Sequence, residues 1–357
     1  MRIAVLRLVK WFTLAALVYV LFVTLQLTFF HHVTTSTSHT VSSNHNHHGL
    51  KESTTQLENE QSTLNKDETI KSGDSLFHDV QTLLLFIGYP RSGSTLLGSI
   101  LDAHPNIVIA NEYNVFAQWK NYTFKQKQNR DYLFNQLWRN SKLESKKLQR
   151  ASTKNFFFSY HVPGTWQGRY EGSIKIIGDK KGTSTTRHII NSLTPSRYNH
   201  FKDVQNAIQI PVKFIHLVRN PFDNIATMTL RAGDPGLRKK AERNNLQFNN
   251  PILLRRQMRT YFKLVDQNVE LREKFGENVL DVHYTSFIRQ PKMWLKTICD
   301  FLEVFCSEDY LNKCVKIIFP KETYTRRYIV WPDSFKAKVE EKIKQVEFLN
   351  GLSFEIT

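Results

Sequence analysis

The sequence predicts an α/β fold, with a mainly parallel sheet covered by helices on both faces, and three observations predict it. The first is a set of short apolar runs that read as buried strands: Leu83–Gly88, Ile107–Ala110, Ser173–Gly178 and Val212–Val218, with Asn278–His283 a further candidate. The second is their alternation with helical patterns. One is Ile252–Phe275, which gathers Met258, Tyr261, Phe262, Val265 and Val269 on one face. Strands alternating with helices build a sheet that buries both its faces. The third is that several strand runs lead directly into a charged or glycine-rich segment, and open α/β sheets bind ligands at the carboxyl ends of their strands. No internal repeat is evident.

The first strand run leads into Tyr89-Pro-Arg-Ser-Gly-Ser-Thr-Leu96, followed by the helical pattern Leu96, Leu97, Ile100, Leu101. Strand, glycine turn and helix aim backbone N–H groups and a helix N-terminus at an anion. Gly88-x-x-x-x-Gly93-Ser94-Thr95 nearly matches the P-loop, but Ser94 stands where the phosphate-binding lysine belongs, and the cation appears earlier as Arg91. A kinase needs that lysine and a metal because the transferring phosphoryl group is highly charged. A sulfuryl group carries less charge and can be moved by side-chain cations and backbone donors. A degenerate kinase-like loop and a chance glycine turn are the alternatives. The loop resembles the 5′-phosphosulfate loop of sulfotransferases that use 3′-phosphoadenosine 5′-phosphosulfate (PAPS). The resemblance implies that Arg91, Ser92, Gly93, Ser94, Thr95 and Leu96 hold the donor, and it implies no metal.

Val212–Val218 leads into Arg219-Asn-Pro-Phe-Asp-Asn-Ile-Ala-Thr227, with Pro221 at a first-turn position that favours a helix start. Arg219 and Thr227 resemble the arginine and serine that grip the donor's 3′-phosphate in the same family, threonine keeping the hydroxyl. The alternative is an ordinary strand-to-helix corner with a surface arginine.

A third segment, Leu101-Asp-Ala-His-Pro105 through Glu112, resembles tyrosylprotein sulfotransferases and implies that Glu112 is the general base. Asn111 replaces the first of that family's paired acids, and Tyr113-Asn114 also differs, which leaves the acceptor open. The alternative is that Glu112 caps a helix beginning near Tyr113. Gly178-Asp-Lys180-Lys181 resembles the segment that supplies a lysine to the bridging oxygen of the donor. Lys180 aligns best, Lys181 is the second choice, and a solvated lysine pair is the bland reading. Tyr284–Leu302 resembles a carboxyl-terminal helical region behind the nucleotide site. Arg326 or Arg327 is a candidate for a donor phosphate, and 231–240 for a mobile acceptor-binding loop.

The chain of 357 residues divides into a cytosolic tail (1–10), a signal anchor (11–30), a disordered luminal stem (31–78) and the catalytic domain (79–357). Trp11–Phe30 holds no charged residue and is long enough for the ~30 Å hydrocarbon core. Arg2, Arg7 and Lys10 precede it and no Lys or Arg follows before Lys51, so a single-pass type II orientation is expected. A cleaved signal peptide would be shorter and end in small residues. The stem is polar and aperiodic. The net charge of +17 falls wholly on the domain, which holds 43 of the 49 basic and 26 of the 32 acidic residues. Such a surface favours anionic partners. A luminal domain argues against nucleic acid and for an acidic acceptor. Cys299 reads as core, and Cys306 and Cys314 as a pair in an oxidising lumen. Asn121-Tyr122-Thr123 is a glycosylation sequon.

The expectation is therefore a Golgi PAPS-dependent sulfotransferase acting on a hydroxyl of an acidic glycan. Protein tyrosine or a small alcohol is the alternative acceptor. A catalytically idle anion- or glycan-binding receptor is the reading from another class.

Overall fold

The computed structural model describes residues 76–146, 160–193, 199–234, 236–319 and 322–355. The expected tail, the anchor at Trp11–Phe30 and nearly all of the stem lie outside them. Among the described residues no helix is long and apolar enough to cross a membrane.

Five strands form one wholly parallel sheet: β1 (Thr82–Gly88), β2 (Ile107–Asn111), β3 (Ile176–Lys180), β4 (Val212–Val218) and β5 (Val279–His283), in the order β2-β3-β1-β4-β5. Every residue of β1 is buried, as a central parallel strand requires. Its side chains alternate between two cores. Leu84 and Phe86 pack with helix α1 (Ser94–Leu101). Leu83, Leu85 and Ile87 face the opposite side with Phe116, Phe134 and Trp138, from helices α2 (Val115–Trp119) and α4 (Arg130–Lys146), which flank the short α3 (Phe124–Lys127). Each fully buried leucine or phenylalanine contributes roughly 1.5–3 kcal/mol.

Helices α5 (Gly182–Leu193) and α6 (His200–Ile208) extend this second face. A third core joins α7 (Pro221–Gly233), α9 (Pro251–Phe275) and α13 (Asp333–Gln345), where Met258, Tyr261 and Val265 are buried as the periodicity requires. Helix α8 (Leu237–Asn244) joins α7 to α9. The predicted carboxyl-terminal region becomes α10 (Tyr284–Arg289) and α11 (Pro291–Phe301), followed by α12 (Glu308–Val315).

Four expectations are corrected. Strand β3 starts later than Ser173 and runs on through Asp179 and Lys180, because it is sandwiched between β1 and β2 and pairs Ala110 with Asp179 and Asn111 with Lys180. The folded part reaches back into the expected stem, since Phe77 is buried against Phe134 with ring centroids 5.8 Å apart. The segment 231–240 is largely helical rather than one loop: 231–233 end α7 and 237–240 begin α8. Finally, Cys306 pairs with Cys299, not with Cys314. The chain turns at the end of α11, where Val304 N–H donates to the Cys299 carbonyl, and this returns Cys306 onto the helix. Cys314 faces the core, its thiol pushed up to about 12 by burial.

Candidate functional site

The carboxyl ends of the strands open into a cleft of about 930 Å³ lined by residues from both predicted anion loops. Its floor is the segment after β1. Arg91 (φ 71°) and Gly93 (φ 104°) both take left-handed backbone, folding the loop over the start of α1. Gly93 caps that helix without a side chain of its own, so the first amides of α1 point into the cleft. Glycine is required there twice over, because a Cβ would meet the Tyr284 ring at 2.6 Å. Arg91, Gly93, Ser94, Thr95 and Leu96 line the cleft, whereas Ser92 is buried behind it.

Arg219 leaves the end of β4 with its guanidinium fully buried. It donates to Thr227 Oγ1 (3.2 Å), Thr325 Oγ1 (3.1 Å), Thr323 Oγ1 (3.3 Å) and the carbonyls of Arg91 (3.0 Å) and Thr323 (3.2 Å). None of these partners is charged, and among the described residues Arg219 makes no carboxylate ion pair. Burial pulls its pKa down, with Asp223 opposing. The arginine also lies over the Tyr284 ring, 5.4 Å from its centroid. Tyr284, the first residue after β5, thus touches both anion loops. The sequence reading missed it, although its place at a strand end was the available signal. Thr323 and Thr325 carried no such signal, since only folding brings them to Arg219. The predicted helix start at Pro221 is present, with Asn220 accepting from Phe222 N–H.

Glu112 stands at the end of β2 in left-handed backbone (φ 60°). Its two carboxylate oxygens are held separately, one by Lys180 and the other by Lys181. Burial alone would raise its pKa, but the two ammonium groups outweigh burial and hold it below the usual carboxylate range. Lys180 is buried, and its Nζ also donates to Thr95 Oγ1 on the loop (3.2 Å). Burial lowers the lysine's pKa, Glu112 opposing. Lys181 lines the cleft. The structure therefore brings both lysines to Glu112 rather than choosing between them.

Glu112 does not cap the following helix. That helix starts at Val115, and the amides of Tyr113 (3.1 Å), Asn114 (2.8 Å) and Val115 (3.1 Å) donate to Asp179 instead. Asp179 thus satisfies the helix start from the neighbouring strand and leaves Glu112 to face the cleft. Burial pushes the Asp179 carboxyl up to about 6 against the pull of those amides. Asn111 is turned away, its Nδ2 donating to Glu144 Oε2 (2.9 Å), so its replacement of an acid leaves the cleft unaltered. Asp102 serves the framework, accepting from Ile109 N–H (2.6 Å), Ser141 Oγ (2.7 Å) and Gly168 N–H (2.9 Å).

Of the carboxyl-terminal arginines, Arg327 lines the cleft. Arg326 is buried elsewhere: its N–H donates to Asp223 (2.9 Å) and its guanidinium to the Ser353 carbonyl. Arg231, Arg238 and Glu242 from α7 and α8 complete one wall, Arg238 donating to Glu242 at 2.7 Å.

Solved structures similar to this chain include the sulfotransferase domain of the Synechococcus PCC 7002 olefin synthase (17% identity, 78% of this chain and 98% of that chain covered, TM-score 0.40). Another is sulfotransferase STF9 from Mycobacterium avium (11%, 82% and 81%, TM-score 0.40). A third is mouse sulfotransferase SULT7A1 complexed with PAP (13%, 76% and 84%, TM-score 0.38). No curated protein matches the chain. The model of the sulfotransferase family matches residues 84–308, a span that takes in both anion loops, Glu112 and the two lysines. The chain belongs to the sulfotransferase family.

Proposed function

We propose that this protein transfers a sulfuryl group from PAPS to a hydroxyl of an acidic glycan, and that it does so from a type II Golgi anchor with its catalytic domain in the lumen. The observation that carries the chemistry is Glu112, gripped by Lys180 and Lys181 beside the loop that starts α1, with Arg219 and Thr227 across the same cleft. Charge asymmetry about Trp11–Phe30 supports the anchor, and the domain's basic excess supports an anionic acceptor.

In this reading Arg219, Thr227 and the surrounding threonine hydroxyls select the 3′-phosphate. A buried guanidinium with only neutral partners gains most from an anion. Arg91, Ser92, Gly93, Ser94, Thr95 and Leu96 form the seat of the 5′-phosphosulfate. Lys180 bridges that seat and the base, through Thr95 and Glu112. An anion on the loop competes with Glu112 for the Lys180 ammonium. Glu112 then keeps Lys181 alone, its basicity rises, and it takes the acceptor's proton as the hydroxyl oxygen attacks sulfur. The bond from sulfur to the bridging oxygen breaks, and Arg91, Lys180 and the loop amides hold the charge left on that oxygen.

The test is sulfuryl transfer from radiolabelled PAPS to a panel of glycans, tyrosine peptides and small alcohols, run with wild type and Glu112→Gln. Wild type should label acidic glycans, and the variant should lose transfer yet still bind 3′,5′-bisphosphate product. Equal transfer by the variant would remove Glu112 as the base. Transfer from ATP with Mg²⁺, and none from PAPS, would sink the sulfotransferase chemistry for this site.

A further inference from the structure

The domain's excess charge is not spread evenly. Leu237 to Lys263 holds eight Lys and Arg against the single acid Glu242. Elsewhere the basic side chains of the domain commonly sit on carboxylates: Lys213 on Glu303, Lys342 on Asp266, Arg272 on Asp281, and Lys292 and Lys296 both on Glu308. Along the first half of α9 this pattern fails. Arg255, Arg256, Arg259 and Lys263 are all exposed, and none has a carboxylate partner among the described residues. Arg255 rests over the Phe335 ring, 5.3 Å from its centroid, which leaves its charge uncompensated.

This arrangement works against the helix itself. Arg255, Arg259 and Lys263 follow one another at i, i+4 and i+8, where like charges destabilise. They also occupy the half of α9 nearer its positive dipole end. No acid occurs in α9 before Asp266. Local helix stability does not explain such a stripe, whereas a bound polyanion does. Its span of about 12 Å from Arg255 to Lys263 suits a ligand with repeated anionic groups better than a single phosphate.

The stripe is linked to the cleft wall through α8. Arg238 of α8 lines the cleft wall, and exposed Lys240 and Arg243 follow on the same helix. The connection from α8 to α9 is tied to the cleft rim at Phe248, whose N–H donates to the carbonyl of cleft-lining Tyr328 (2.9 Å).

We propose that the exposed basic stripe of α8 and the first half of α9 is a docking track for the acceptor chain outside the catalytic cleft, and that its occupant is an extended glycan bearing sulfates or uronates. This assignment rests on the acidic-glycan reading of the acceptor. Several anionic groups along the chain neutralise the stripe while one hydroxyl enters the cleft.

The experiment uses the full-length protein and heparin as the probe. The variant carries Arg255→Gln, Arg256→Gln, Arg259→Gln and Lys263→Gln, and Arg256→Glu alone serves as a second, smaller perturbation. Heparin affinity should fall roughly thirty-fold in the fourfold variant, about 2 kcal/mol, and its salt dependence should become shallower. Arg256→Glu should lower affinity in the same direction. Affinity for 3′,5′-bisphosphate product should stay unchanged in both, because none of the four side chains lines the cleft. Unchanged heparin binding in the fourfold variant overturns the track. A single-stranded oligonucleotide or phosphatidylserine vesicles binding as tightly as heparin overturns the glycan as its occupant. These readouts need no turnover. Failure of the sulfuryl-transfer reading would therefore appear separately, as absent transfer from PAPS with heparin binding intact.

Discussion

Gly98→Ala should slow turnover without emptying the donor site. Gly98 lies inside α1, and a Cβ there would sit 3.0 Å from Lys180 Cγ and 3.2 Å from Lys180 Cβ, with Ile109 Cγ2 at 3.8 Å. Contacts of 3.0 to 3.2 Å force the neighbour to give by a few tenths of an ångström. The neighbour here is the root of the lysine side chain, and its backbone is held in β3 by pairing with Asn111 of β2. The stem must therefore move, and the Nζ shifts relative to Thr95 Oγ1 and Glu112.

Two terms oppose each other in stability. Alanine in place of glycine inside a helix gains ~1 kcal/mol, and the forced contact costs ~1–3 kcal/mol. The variant should fold with a small net loss. A displaced catalytic group can cost up to ~10²-fold in rate, so kcat should fall about ten- to a hundredfold while product affinity holds. Initial rates at saturating PAPS, with a melting curve beside them, read both quantities.

A double-mutant cycle isolates the route. Lys180→Met should by itself cost ~10²–10³ in kcat, as loss of a stabiliser of developing charge does. Adding Gly98→Ala to it should change little, because the ammonium it displaces is gone. Equal losses in both backgrounds, or an undiminished kcat for Gly98→Ala, would refute the reasoning.

Three further outcomes are expected. Arg219→Ala should weaken 3′,5′-bisphosphate binding in calorimetry by about 1.5–3 kcal/mol, the worth of a charge-assisted hydrogen bond, and unchanged affinity would take Arg219 out of the donor site. Glu112 is held below the usual carboxylate range, since its lysines outweigh burial. Its contribution to stability is therefore complete above the unfolded value of ~4.3 and is lost as pH falls through the lower folded value. The melting-temperature gap between wild type and Glu112→Gln should accordingly shrink below pH ~4, and a gap constant with pH would contradict the pairing. The Cys299–Cys306 disulfide closes a short loop worth ~2.5 kcal/mol by chain entropy, so Cys299→Ser should lower the melting temperature by several degrees. A melt identical to wild type would contradict that contribution.

The sequence by itself determined the layered α/β architecture and which strand-end segments meet at one cleft. The run Leu83–Gly88 is apolar on both faces, which suits a strand buried in a covered parallel sheet. That Arg91, Glu112 and Arg219 face one cleft was legible for a related reason, since strand ends are local features and open sheets put their ligands there, whereas Thr227, inside α7, came from the family resemblance. Folding alone decided how these residues are partnered. Asp179 takes the helix-capping role that adjacency suggested for Glu112, because its strand lies beside β2 and the three amides converge on it. Both lysines reach Glu112 because β3 runs two residues past its apolar pattern, Asp179 pairing with Leu85 and Ala110 and Lys180 with Asn111. Tyr284, Thr323 and Thr325 meet Arg219 from far along the chain. Cys306 returns to Cys299 through a turn that no cysteine spacing encodes. In each case the local pattern fixes what a segment becomes, and the partner is chosen by burial and hydrogen bonding between segments distant in sequence.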